Sequence, residues 1–140
     1  MKNKLFIFVF AIVLGACSNE DSNTADNSFD KEGPAIEINI VEKDIENSLT
    51  RIEIINRQDV PINGLRGRLL FLGEDGEPLT TATGRILDSP FSMTANPYLV
   101  NTMAKQVKKL GNKIPEGTTD MKLTELYART KSGEVKINND

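Results

Sequence analysis

The chain contains no histidine, no tryptophan and a single cysteine in 140 residues. Without histidine there is no Ser-His-Asp or Cys-His nucleophile system and no His-ligated zinc site. One cysteine allows no intramolecular disulfide. Aromatic residues amount to 6%, which, with tryptophan absent, argues against a sugar-stacking platform or an aromatic cage. A strong charge of one sign is missing too: 17 basic side chains face 20 acidic ones. No apolar run approaches the ~20 residues that a membrane-spanning helix needs.

What is present begins at the N-terminus. Lys2 and Lys4 precede an unbroken apolar run, Leu5 to Leu14, of the length of a secretory-signal core. Leu14-Gly15-Ala16-Cys17 follows. That order of aliphatic, small, small and cysteine resembles the lipobox of bacterial lipoproteins. The resemblance implies a signal peptide over residues 1–16, a diacylglycerol thioether on the Cys17 sulfur and cleavage before it. Two other readings of the segment are an ordinary signal cut at Ala16-Cys17-Ser18 and a retained anchor. Two or three acyl chains at ~0.8 kcal/mol per buried methylene hold a protein stably on a bilayer.

Residues 17–34 read as the lipidated cysteine and a disordered acidic tether. Only Ala25 and Phe29 are apolar there after the cysteine, and Glu20, Asp21, Asp26, Asp30 and Glu32 are opposed by Lys31 alone. Such composition cannot offset the entropy of ordering. Residues 35–140 are then close to neutral, fourteen basic against fifteen acidic side chains. A neutral domain behind an acidic leash has no electrostatic footprint for nucleic acid. By resemblance to lipoprotein sorting, Ser18 after the cysteine implies the outer membrane. The acids behind it resemble surface-export signals of Bacteroidetes lipoproteins, leaving both a periplasm-facing and a cell-surface location open.

Residues 35–140 carry the period-two alternation of half-buried strands. Ile36, Ile38 and Ile40 form one face, Ile52 and Ile54 another, and Leu65, Gly67, Leu69 and Phe71 a third, with Arg66 and Arg68 opposite. Asp75-Gly76 marks a tight turn, after which a return strand is expected over about Leu79 to Leu87. Met121, Leu123 and Tyr127 share a parity, Lys131-Ser132-Gly133 predicts a turn, and Val135 and Ile137 predict the last strand. The pattern predicts a mainly β fold, an antiparallel immunoglobulin-like sandwich.

Residues 97–110 are open to two readings. Asn96 suits a helix cap, Pro97 a first helical position, and Val100, Met103, Ala104, Val107 and Leu110 an apolar stripe. Lys105, Lys108 and Lys109 would complement the negative end of that helix. The rival reading is a further sandwich strand.

The run Ile52-Glu53-Ile54-Ile55-Asn56, with the later Leu69-Leu70-Phe71-Leu72-Gly73-Glu74-Asp75-Gly76, resembles FxLYD-type and related immunoglobulin-like domains of bacterial envelope lipoproteins. That resemblance implies a sandwich and marks no active site.

Candidate sites are few. Glu74, Asp75 and Glu77 form an acidic hairpin tip rather than the alternating oxygen ligands of a calcium loop. Ser132 beside Lys131 is poorly placed for a Ser/Lys mechanism. Arg66 and Arg68 could take a partner strand at a sheet edge or a carboxylate-bearing chain, or simply cover apolar surface with their stems. Lys105, Lys108 and Lys109 offer a solvated face or a contact for anionic glycan or headgroups. No cofactor or metal is implied. The expectation is a non-enzymatic, membrane-anchored interaction module with an envelope protein or glycan as partner. A carrier of a small apolar ligand and a hydrolase are the alternatives.

Overall fold

The computed structural model describes residues 30–139, so Cys17 and the signal peptide expected over residues 1–16 lie outside the described residues. Seven strands follow in order: β1 (Ile36–Asp44), β2 (Leu49–Asn56), β3 (Gly64–Leu72), β4 (Asp88–Thr94), β5 (Ala104–Leu110), β6 (Asp120–Thr130) and β7 (Gly133–Ile137). They form two antiparallel sheets, ordered β1-β2-β5 and β4-β3-β6-β7. The chain crosses between sheets after β2, after β4 and again after β5. This is an antiparallel β-sandwich with three strands facing four.

The alternating isoleucines account for the first sheet. Ile38 lies opposite Ile54 and Ile40 opposite Ile52, and Ile38, Ile52 and Ile54 are fully buried. From the second sheet, Leu65, Leu69 and Phe71 of β3 and Met121, Leu123, Leu126 and Ala128 of β6 complete the core. Gly67 occupies an inward position on β3 where a Cβ would lie 2.6 Å from Leu126 Cδ2 and 2.9 Å from Phe91 Cζ. Only a glycine leaves room for those two side chains.

Three expectations need correction. Residues 97–110 do not form a helix. Residues 104–110 form edge strand β5, with Thr50 opposite Leu110, Ile52 opposite Lys108 and Asn56 opposite Ala104. Ladder pairing with β2 and burial of Ala104 and Leu110 against the core override the capping signals. The return strand starts later than expected: β4 begins at Asp88, while residues 78–86 form a small arm with single bridges Leu72–Pro78 and Thr80–Ile86. Tyr127 does not share the face of Met121 and Leu123. The pairing of β3 with β6 shifts between Arg66 and Arg68, and Glu125 there has φ 50°. This bulge places two residues opposite one and reverses the alternation. Leu126, Ala128 and Thr130 therefore turn inward, and Tyr127 faces out beside Arg66.

Candidate functional site

Arg66 and Arg68 project from the outer face of the four-stranded sheet. β3 lies between β4 and β6, so it is a central strand and no partner strand can add to it. Both guanidiniums already have carboxylate partners. Arg66 makes a two-pronged pair with Glu134 of β7, its Nε 2.9 Å from Oε2, and its Cζ lies 4.0 Å from the centre of the Tyr127 ring. Arg68 reaches Glu125 Oε2 at 2.8 Å and Asp88 Oδ2 at 2.7 Å. The hydrogen bond from Arg66 holds the Glu134 carboxyl below its ordinary pKa.

A shallow groove of about 450 Å³ runs beside this pair, lined by Arg66, Gly67, Arg68, Pro90, Phe91, Ser92 and Glu125. Charge-paired arginines, a stacked tyrosine and a serine make this face amphipathic. It can offer planar guanidinium stacking and carboxylate acceptors to a polar chain. A free carboxylate ligand would first have to displace Glu134, Asp88 or Glu125.

The three lysines do not share one face. β2 residues opposite them place Lys105 and Lys109 outward beside Ile55 and Arg51, and Lys108 inward beside Ile52. Lys108 is half-buried at the open side of the sandwich. An inward lysine on an edge strand discourages edge-to-edge pairing with another chain. The cationic stretch is thus split by the pleat, and its central member serves the edge rather than a binding face.

Sequence reasoning missed a second constellation, at the end of β2. Asn56 is completely buried. Its Nδ2 donates to Val60 O and Asn101 O, both at 2.9 Å, and its Oδ1 accepts from the Gln58 N–H at 3.1 Å. The next residue, Arg57, has a side chain only 8% exposed. Its Nε donates to Asp30 O at 2.9 Å and its Nη1 to Pro34 O at 2.9 Å and Glu37 Oε2 at 2.8 Å. Its backbone N–H donates to Ala35 O. Gly33, at φ 132°, lies against the guanidinium, where a Cβ would come 3.0 Å from Cζ. Hydrogen bonds from Asn39 and then Arg57 lower the pKa of Glu37.

Two neighbouring residues therefore pin two separate segments: Asn56 holds the β4–β5 connection, and Arg57 holds the stretch leading into β1. The signal was visible in principle. Asn56 continues the inward parity of Ile52 and Ile54, and a polar residue at a core position needs built-in partners.

Among the other candidates, Asp75 Oδ1 accepts from the Glu77 N–H at 3.0 Å, an Asx turn at the hairpin tip. The Ser132 N–H donates to Thr130 Oγ1 at 3.2 Å within the β6–β7 turn. Among the described residues no group of three or more metal-ligating side chains comes together. No protein-family model, curated protein or solved structure matches this chain.

Proposed function

We propose that the chain is a lipid-anchored protein of the bacterial outer membrane whose sandwich is a non-enzymatic interaction module. The observation that carries this reading is Leu14-Gly15-Ala16-Cys17 behind a short apolar run, followed directly by an acidic stretch. The only cysteine stands where the lipid would be attached, and nothing else in the sequence requires it. The module acts by contact with an envelope protein or glycan. The face around Arg66, Arg68, Tyr127 and Ser92 is the surface best suited to such contact, since its charges are held in place before a partner arrives. The immunoglobulin-like envelope domains that the sequence resembles fit the same reading.

The experiment is a matched pair in the native host, wild type and Cys17→Ala. Labelled palmitate should enter the wild type and not the variant; an unlabelled wild type removes the anchor from the reading. Affinity capture of the tagged pair, with Arg66→Ala and Arg68→Ala added, tests the module. A recurrent partner lost in the arginine variants supports it, and a partner retained in both rules out this face.

A further inference from the structure

From the junction built by Asn56 and Arg57, we infer that the β4–β5 connection, residues 95–103, is a lipid-contacting tip that seats the sandwich on the bilayer through Tyr98 and Met103. This rests on the lipid anchor at Cys17 proposed above.

The argument starts from reach. Thirteen residue steps separate Cys17 from Asp30. Whatever their conformation, they span at most about 45 Å. Asp30 is held at the Arg57 end of the sandwich, and the strands run about 30 Å from that end to the other. The end bearing the β4–β5 connection is therefore the one where the leash joins, within reach of the membrane, while a leash longer than the strands leaves the tilt of the sandwich to be set by contacts of its own.

Among the described residues, two of the exposed large apolar side chains sit on this one connection: Tyr98 is 42% and Met103 41% exposed. Their neighbours are fixed. Leu99 and Val100 are buried in the core, and both of their N–H groups donate to Ile62 O, at 2.7 and 3.0 Å. Asn56 holds Asn101 O, and the Met103 N–H donates to Gln58 O at 3.2 Å. Met103 has φ 48°, a conformation that a bulky residue adopts only when its surroundings impose it. The loop thus presents two apolar side chains outward from a backbone that cannot retract them.

A lipid surface suits this geometry better than a protein. Two side chains on a tip fall well short of the ~800 Å² per partner of a standard protein interface, whereas a tyrosine with one apolar and one polar end matches the headgroup boundary. Charges at this end are of both signs, with Lys31, Lys105, Arg129 and Lys131 set against Asp30, Glu32, Asp59 and Glu134, so neutral headgroups suffice. A short leash raises the local concentration of the tip at the bilayer to roughly millimolar. A contact too weak to register on an unanchored protein is then substantially occupied on the anchored one.

The test couples the mature chain, Cys17 to Asp140, through its only thiol to a maleimide lipid in phosphatidylcholine nanodiscs. A gadolinium-chelating lipid in the same discs reports proximity through amide relaxation. This chemical anchor makes the readout independent of lipidation in cells, so failure of the anchor reading appears in the palmitate experiment and failure of the tip appears here. The amides of residues 95–103 should relax several-fold faster than those of residues 73–87 at the opposite end. Tyr98→Ser with Met103→Ser should remove most of that difference while leaving the core amide spectrum unchanged; Tyr98→Ser alone should give an intermediate loss. Equal relaxation at the two ends overturns the inference. So does a difference that survives the double variant, which would trace to the leash alone, or a maximum on β5, which would assign the contact to Lys105 and Lys109.

Discussion

The two ends of the sandwich carry excursions, residues 95–103 at one and the longer 73–87 at the other, held in different ways. At the end where the chain enters, the β4–β5 connection is plugged into the core by Leu99 and Val100 and tied by a buried asparagine. At the other end, the arm over residues 73–87 is closed by backbone hydrogen bonds within itself and to the end of β3. Leu79 donates to Phe71 O, Leu87 to Leu79 O and Thr81 to Arg85 O. Its turns use Gly76 and Gly84 at φ 76° and 81°, with open space around both. The contrast teaches that loop order here is not a matter of length. One excursion is tied down by fully buried side chains, and its loss would be felt globally; the other rests on the core only through half-buried Leu79 and Leu87, with its tip exposed.

The sharpest way to break this comparison is Asn56→Ala. It leaves the Val60 and Asn101 carbonyls and the Gln58 N–H without their partner in a buried site, at about 2–4 kcal/mol of stability. Urea unfolding should show that loss, and the protection of amides 99–103 should fall with it. A loss below about 0.5 kcal/mol, the scale of an ordinary surface substitution, would mean the loop does not depend on that side chain. Arg57→Ala should cost less, about 1–2 kcal/mol, because part of its role is to hold a terminal segment. Its distinct signature is faster tryptic cleavage at Lys31, which should be slow in the wild type.

Acid offers a graded version of the same test. The folded-state pKa of Glu37 lies below its ordinary 4.5, through hydrogen bonds from Asn39 and then Arg57. Its contribution is therefore fully present above about pH 4.5 and is lost as the pH falls through the lower folded value. Tryptic sensitivity cannot be read so low, so pepsin cleavage or amide exchange near residues 30–37 is the measure. Opening there on lowering the pH from 5 to 3 should be absent in Glu37→Gln. The smallest effect belongs to the far arm. Ile86 is 50% exposed, and Ile86→Ser should change global stability by no more than about 0.5 kcal/mol. A larger change would show that the exposed tip of the arm too is coupled to the core.

Much of this fold was legible in the alternation. Ile36-Ile38-Ile40, Ile52-Ile54 and Leu65-Leu69-Phe71 face inward as their period requires, because each lies in a strand with one face on the core. The segment 97–110 was not legible, and its edge position explains why. The inner side of β5 opens to solvent, so Gln106 and Lys108 can occupy inward positions between Ala104 and Leu110. That erases the period-two signal and leaves an accidental helical stripe. Tyr127 was misplaced for a different reason: a one-residue bulge at Glu125 reverses every later side chain, and nothing in the local sequence announces it. Of the candidate site residues, Arg66 and Arg68 stand out in the sequence because charges alternating with core leucines are conspicuous. Their partners Glu134, Glu125 and Asp88 come from three separate strands and could not be paired from sequence.

By itself the sequence determined the balance of charge, the absence of any histidine chemistry and the strands whose alternation faces a core. Tertiary structure alone decided that β3 is central rather than an edge, that its arginines are already paired, and that Asn56 and Arg57 tie two distant segments to one end of the sandwich. The physical reason is that alternation is a local property of one strand against one core. Which strand lies beside it, and which carbonyls a buried amide meets, depend on residues that are far apart in the chain.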